Sequence, residues 1–347
     1  MTLPVLGLPA LFWDSLTVLG FFVFAVQFLR ALNFIRLNYC GRYFALNLRQ
    51  RYQKAGDWAV VTGASDGIGR AMAVELGRRG MNVVLIARTE AKLKEVAAEI
   101  ESGTKPVRTK VIPFDFSTAT QGQYQTLFSA LDTVALAVLV NNVGVSTDYP
   151  QPFDESNLDE ELRMLTVNCA SQLQMTKYAV KRLKRSGCGA IVNLSSLSAY
   201  LNVPFLSVYS ATKAFNRCFS SSLASELQTH HIDVLSVTPN LVATAMTQGN
   251  SLRRPRPGGL FVDAETMAHE TLNQLGKTED TAGHSRHALV QSLMLSVPGL
   301  FLKRMLRAEM WKRHLDGQRK NERRNLASVK NVLKSETDSI TKLKIFN

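Results

Sequence analysis

The run DWAVVTGASDGIG, Asp57–Gly69, sets the architecture of this 347-residue chain. Its first half, DWAVVT (57–62), is an apolar stretch of strand length. Its second half places three glycines as G-x-x-x-G-x-G, and a helical pattern over 67–79 follows. A tight turn needs residues without side chains, and so does a pyrophosphate that must approach the backbone closely. The helix opening there supplies N–H donors and a favourable dipole. Glycines often mark plain turns. The position after an apolar strand and before a helix is what points to a dinucleotide loop.

Outward from this loop the same alternation repeats. Asn82–Ala87 (NVVLIA) reads as a second strand, 90–101 as a helix, and Val111–Phe114 as a third strand. A helix at 120–132 leads to a fourth strand, Ala137–Val140. Residues 157–185 read as one helix, Ala190–Leu194 as the fifth strand, 207–228 as a helix and Val234–Val237 as the sixth strand. Short apolar strands alternating with helices predict an α/β fold, a Rossmann-type doubly wound parallel sheet with helices on both faces. This single domain covers 57–285. It is flanked by an N-terminal segment, 1–56, and a C-terminal one, 286–347.

Hydrophobic residues make up 46% of the chain and charged residues 20%, which excludes a disordered or collagen-like chain. The net charge of +13 lies at the two ends. Residues 1–56 hold six Lys/Arg and one acid, 303–347 hold thirteen and five, and 57–302 hold 22 of each. A neutral body with basic ends reads as a globular domain with membrane-surface segments. The other reading, a nucleic-acid tail, lacks aromatic interleaving and any binding motif, so no nucleic-acid partner is expected. Cys40, Cys169, Cys188 and Cys218 have neither metal-ligand nor redox spacing. They read as free, mostly buried thiols in a reducing compartment, with no metal site.

From Met1 to Leu29 the only charge is Asp14. A span needs about 20 apolar residues, and either Pro4–Ala25 or Ser15–Ile35 would serve, so one anchor is expected within 4–35. A cleaved signal peptide would carry its basic residues ahead of the apolar run. Here Arg30, Arg36, Arg42, Arg49, Arg51 and Lys54 follow it, which places the downstream side in the cytosol. A second uncharged run, 287–302 (HALVQSLMLSVPGLFL), is short for a span and broken by Pro298-Gly299. It reads as interfacial or re-entrant rather than as a core helix, with Lys303, Arg304 and Arg307 directly after it. The polar tail 318–347 lacks an apolar face and is expected to be mobile.

Candidate site residues cluster after the strands. An acid at the end of the second strand would select NAD. This chain has Ala87-Arg88-Thr89 there, and Arg88 could pair with a 2′-phosphate, so NADP(H) is expected. Tyr209 and Lys213 lie four apart on one helix face. A phenol titrates near 10, and a neighbouring ammonium lowers that value, which tunes a proton donor. Ser195-Ser196 ends the fifth strand and Asn141-Asn142-Val143-Gly144 follows the fourth, at the edge where such sheets bind ligands. Asn168 lies in the next helix. The sole N-x-S/T sequon, Asn193-Leu194-Ser195, lies inside the fifth strand, where a glycan could not fit.

TGASDGIG, NNVG, Asn168, Ser196 and YSATK, in this order, resemble the short-chain dehydrogenase/reductase pattern over about 57–247. The resemblance implies that Tyr209 protonates a ketone oxygen and that Lys213 lowers its pKa and binds the nicotinamide ribose. It implies that Ser196 polarises the carbonyl and that Asn168 supports a water-linked proton relay. Gly63, Ser65, Asp66, Gly67, Ile68 and Gly69 would shape the phosphate loop. Asp115 would contact adenine, Asn142 would line the cofactor, and Val242 and Thr244 would meet the nicotinamide amide. The family often has Pro-Gly after the sixth strand. This chain has Pro239-Asn240, which puts the local turn in doubt.

GASDGIG, LVNNVG with Tyr149-Pro150, VPFLSVYSATK and L-V-x-T-x-M are similar to the membrane-bound branch of very-long-chain 3-oxoacyl-CoA reductases and related 17-beta-hydroxysteroid dehydrogenases. Residues 286–314 look like that branch's C-terminal part. The resemblance implies NADPH-dependent reduction of 3-oxoacyl-CoA to 3-hydroxyacyl-CoA in fatty-acid elongation, at the endoplasmic-reticulum membrane with the catalytic domain in the cytosol. The condensing enzyme, the dehydratase and the enoyl reductase would be its partners. A steroid or retinoid oxidoreductase shares the same motifs. A catalytically silent nucleotide-binding membrane scaffold is a third reading, and the intact Asn168, Ser196, Tyr209 and Lys213 argue against it.

Overall fold

Four strands, β1 (Trp58–Thr62), β2 (Asn82–Ala87), β4 (Leu136–Asn141) and β5 (Gly189–Leu194), are buried at every position. Both faces of the sheet are covered, which is why these strands are mostly apolar rather than alternating. With β3 (Thr109–Pro113), β6 (Ile232–Val237) and β7 (Asp280–Thr281) they form one sheet, in the order β3-β2-β1-β4-β5-β6-β7. All of its pairings are parallel. The computed structural model describes residues 10–40, 46–244, 246 and 261–345. Pro4–Pro9 of the first candidate anchor, Arg42 and the last two tail residues lie outside the described residues.

The chain divides into two compact units, Met1–Ala45 and Leu46–Asn347. In the first, α1 (Ala10–Asn38) has 29 residues. At 1.5 Å per residue it is about 43 Å long, more than the roughly 30 Å of a bilayer's hydrocarbon core. Phe12–Asn38 is long and apolar enough to cross a membrane.

The second unit begins with α2 (Leu48–Arg51), which the sequence reading groups with the anchor. Leu48 and Tyr52 are core residues instead. Tyr52 Oη donates to Asp233 Oδ2 (2.7 Å), and Arg51 Nε donates to the same oxygen (2.8 Å). These bonds hold the segment at the start of β6. The crossover helices α3 (Gly67–Arg78), α4 (Glu90–Glu101) and α10 (Ala264–Gln274) share one face. Those on the other are α5 (Gln121–Leu131), α7 (Ser171–Ser186) and α9 (Ser207–Leu227). There Phe128 of α5 stacks on Tyr178 of α7, with ring centroids 4.5 Å apart.

The helix expected over 157–185 is α6 (Leu158–Leu165) and α7, joined by a π-helical turn at Thr166–Ala170. The short α8 (Ser198–Leu201), α10 and β7 are additions to the sequence reading. β7 is polar and two residues long, so no apolar run marks it. It is held by bonds such as Thr238 N to Thr281 O (2.7 Å). All four cysteines are free, but only Cys188 is buried, and Cys218 on α9 is exposed.

The C-terminal part is α11 (Ser285–Ser296) and α12 (Gly299–Ile345), which meet at a bend of 118°. Leu302, Leu306 and Met310 of α12, one stripe at i, i+4 and i+8, pack on Leu197, Leu201 and Val203. Further along, His314 Nδ1 lies 2.9 Å from the Pro150 carbonyl oxygen, and a Cβ on Gly317 would meet the Tyr149 ring at 2.4 Å. The tail expected to be mobile is helical through Ile345. Beyond Gly317 it contains no Gly or Pro and many good helix formers.

Candidate active site

The strand order reverses at β1 and β4, with β2 and β3 added on one side and β5 to β7 on the other, and the crevice at their C-terminal ends is where such sheets bind ligands. Gly63 and Gly67 take the left-handed conformation, with φ of +65° and +58°. A Cβ on Gly63 would lie 2.8 Å from Asn142 Nδ2. A Cβ on Gly69 would lie 2.2 Å from both that nitrogen and the Gly63 carbonyl oxygen. The Asn142 amide braces the turn by donating to the carbonyls of Thr62 (3.0 Å) and Gly63 (3.2 Å). Thr62 Oγ1 accepts from the backbone N–H groups of Asn142 (3.0 Å) and Val143 (3.1 Å). Asp66 caps α3 by accepting from Gly67 N (2.7 Å). The bare-backbone turn, the helix terminus behind it and the interlocked Asn142 are one device.

A cavity of about 350 Å³ opens over this turn, within the range of ligand sites. Gly63, Ser65, Asp66, Gly67, Ile68, Arg88, Asp115, Asn142 and Thr244 line it. Gly69 lies beneath the turn, and Val242 is buried in a bridge with Val262. The sequence reading missed Lys92, Arg163, Phe114 and Phe116 in the same lining. Lys92 follows Arg88 by four residues in the first turn of α4, a spacing that could have found it. Arg163 reaches the cavity from α6, and no local pattern announces that. Burial pushes the Asp115 carboxyl up, but two hydrogen bonds from Ser117 and the fields of Arg88 and Arg163 hold it below its ordinary value. A side-chain-free cradle with cations at its rim fits a phosphorylated dinucleotide.

Beside the cavity, β5, α9 and the π turn bring together the four side chains expected to carry chemistry. Gly144 links the two areas: a Cβ there would lie 3.4 Å from both Asn168 Oδ1 and Lys213 Nζ. Asn168, 1% exposed, accepts from Val145 N (2.8 Å) and donates to Val145 O (2.9 Å) and Thr212 Oγ1 (3.1 Å). The π turn is what aims it inward, as such single turns often do at functional sites. Ser195 Oγ donates to the Lys213 carbonyl (2.6 Å) and fixes α9 on β5. Ser196, at the strand end, accepts from Ser198 N (3.2 Å) and has its hydroxyl near the Tyr209 phenol. Behind them, Asn141 Nδ2 donates to Asn193 Oδ1 (2.8 Å), and Asn193 Nδ2 donates to Ser220 Oγ (2.9 Å). Asn193 is fully buried, as expected for a sequon no glycan could use.

The electrostatics differ from the expectation for an ion-tuned phenol. Burial pushes the half-buried Tyr209 above its ordinary value, and the nearby Ser196 hydroxyl lowers it by less. Lys213 Nζ lies 5.8 Å from the Tyr209 ring centroid and donates to the Leu194 carbonyl (3.0 Å). Burial brings the Lys213 ammonium down to about 8. It therefore sits close to its own titration rather than acting as a permanent charge. Any anion bound nearby would favour its charged form. Burial also pushes the neighbouring Cys169 thiol up to about 11, which leaves it a poor nucleophile.

These features define a nucleotide-linked carbonyl–alcohol oxidoreductase. Residues 57–254 match the short chain dehydrogenase family, and the chain belongs to it. Among its relatives, the very-long-chain 3-oxoacyl-CoA reductase-A of Danio rerio is 41% identical over 243 residues, 68% of this chain and 72% of the relative. A solved 7beta-hydroxysteroid dehydrogenase is 25% identical, with a TM-score of 0.66, over 75% of this chain and 99% of that one. A short-chain dehydrogenase from Sphingobium yanoikuyae in complex with NADPH is 26% identical, with a TM-score of 0.55, over 61% of this chain and 81% of that one.

Proposed function

We propose that the protein uses NADPH to reduce very-long-chain 3-oxoacyl-CoA to 3-hydroxyacyl-CoA in fatty-acid elongation. The 41% identity to the Danio rerio reductase over 243 residues carries this reading. NADPH, when bound, supplies the hydride. Gly63, Ser65, Gly67, Ile68 and the α3 terminus would hold its pyrophosphate, and Arg88 with Lys92 its 2′-phosphate. Asp115 would meet adenine, Asn142 and the Val242–Thr244 segment the nicotinamide end. Ser196 hydrogen-bonds the carbonyl oxygen of the ketone and orients it. Tyr209 gives its phenolic proton to that oxygen as negative charge develops there. Lys213, charged, stabilises the phenolate left behind. Asn168 holds the Val145 backbone and supports a water-linked proton relay to Lys213.

In this reading α1 anchors the protein in the endoplasmic-reticulum membrane, with the catalytic domain, 57–285, facing the cytosol. The condensing enzyme, the dehydratase and the enoyl reductase are its neighbours in the reaction sequence. Purified full-length protein in detergent, given NADPH and either a long-chain 3-oxoacyl-CoA or estrone, tests the assignment. Oxidation of NADPH with the thioester, lost in Tyr209→Phe, is expected. Turnover of the steroid alone would move the protein to the hydroxysteroid branch, and turnover of neither would favour a nucleotide-binding scaffold.

A further inference from the structure

The bend between α11 and α12 is built unlike a water-facing surface. Leu293, Leu300 and Phe301 are 61%, 70% and 64% exposed. They lie in the run 287–302, which carries no charge. The opposite stripe, Leu302 and Leu306, is covered. Directly beyond the bend Lys303, Arg304 and Arg307 are exposed. At 1.5 Å per residue the 12 residues of α11 reach about 18 Å, too short to cross a hydrocarbon core of roughly 30 Å. An exposed apolar patch rimmed by cations has the chemistry of an anionic lipid surface: acyl chains take up Leu and Phe, and headgroup phosphates meet Lys and Arg.

The patch is continuous with the catalytic edge. Leu302 and Leu306 pack on Leu197, the residue after Ser196. Trp311 of α12 lies against Phe205, with ring centroids 5.7 Å apart, and Phe205 and Tyr209 line a small cavity together. We propose that the α11–α12 bend seats in one leaflet of an anionic bilayer and holds the approach to Tyr209 against the lipid. A lipid-borne ketone then reaches the site without passing through water. Only this delivery step rests on the acyl-CoA reading above; the seating does not.

The test uses the full chain reconstituted in phosphatidylcholine–phosphatidylserine vesicles that carry a chain-nitroxide lipid. A fluorophore is attached through Phe301→Cys in a Cys40→Ser, Cys218→Ser background, with Lys94→Cys on α4 as the water-facing reference. The nitroxide lipid is expected to quench the probe at 301 and aqueous iodide the probe at 94. Iodide quenching at 301 equal to that at 94 would overturn the seating. Protection of 301 from both quenchers would also overturn it and assign the patch to a second copy of the chain. In the kinetic arm, Leu300→Asp with Phe301→Asp is expected to raise KM for a vesicle-borne long-chain 3-oxoacyl-CoA about tenfold or more. Turnover of water-soluble acetoacetyl-CoA is expected to stay unchanged. Equal losses on both substrates would overturn delivery. Lipid quenching at 301 without reduction of either thioester would uphold the seating and count against the acyl-CoA reading alone.

Discussion

Gly69 and Gly299 open two helices in opposite surroundings. A Cβ on Gly69 would meet two polar atoms at 2.2 Å, whereas nothing lies within 4 Å of one on Gly299. The turn between β1 and α3 is over-determined: Asn142, Thr62 and Asp66 each fix part of it, and no side chain can be added without moving backbone. The bend between α11 and α12 is held from one side only, by Leu302, Leu306 and Met310, and its other side is open. The first region is shaped to present backbone to a ligand. The second is shaped to present side chains outward. A change in the first region should therefore alter chemistry and fold, and a change in the second should alter where the enzyme works.

The largest expected effect belongs to the first region. Tyr209→Phe removes the proton donor and should lower kcat by about 10²-fold or more, with the dissociation constant for NADPH, read by fluorescence, unchanged. A comparable loss of NADPH affinity would show that the phenol binds rather than reacts. Next, Arg88→Ala should cost about 1.5–3 kcal/mol of NADPH binding, roughly ten- to a hundredfold in KM, and leave KM for NADH unaltered. Equal weakening of both cofactors would remove Arg88 as a phosphate ligand. The two glycines give the direct contrast. Gly69→Ala should destabilise the fold by about 1–3 kcal/mol in urea titrations, whereas Gly299→Ala should stay within about 0.5 kcal/mol of the parent. Equal costs would erase the distinction between the two regions.

The last effect is a slope with pH. Burial lowers Lys213 to about 8, below its ordinary value of 10.5, so between these values the unfolded chain binds more protons than the folded one. Lys213 therefore penalises folding fully below pH 8, and the penalty is relieved as pH rises towards 10.5. Relative to Lys213→Met, the parent should gain up to about 1.4 kcal/mol per pH unit across that window. Parallel stability curves for the two proteins would mean that Lys213 is not buried as described.

The two regions also differ in how far the sequence foretells them. The strand–glycine–helix run and the apolar strands β1, β2, β4 and β5 are local signals, because burial on both faces writes itself into consecutive residues. Tyr209, Lys213 and Ser196 are legible for a similar reason: helix spacing and strand ends carry them to one edge. Asn168 is legible as a motif member, but the π turn that aims it is not, since nothing in TVNCA distinguishes it from an ordinary helix. Arg163 enters the cavity through tertiary placement of α6. β7 is two polar residues recruited by its neighbour. Composition at the C-terminus shows an uncharged run and basic residues. Which stripe of α12 faces Leu197 and which faces outward follows only from three-dimensional packing.

The central claim is that this edge transfers a hydride to the 3-oxo carbon while Tyr209 protonates its oxygen. Single turnover of deuterated NADPH, labelled at the transferable position, with a long-chain 3-oxoacyl-CoA tests it most directly, with the product read by mass spectrometry. The account predicts one deuterium at C3 of a 3-hydroxyacyl-CoA with the parent enzyme and almost none with Tyr209→Phe. Deuterium absent from C3 with the parent, or transferred equally fast by Tyr209→Phe, would contradict it.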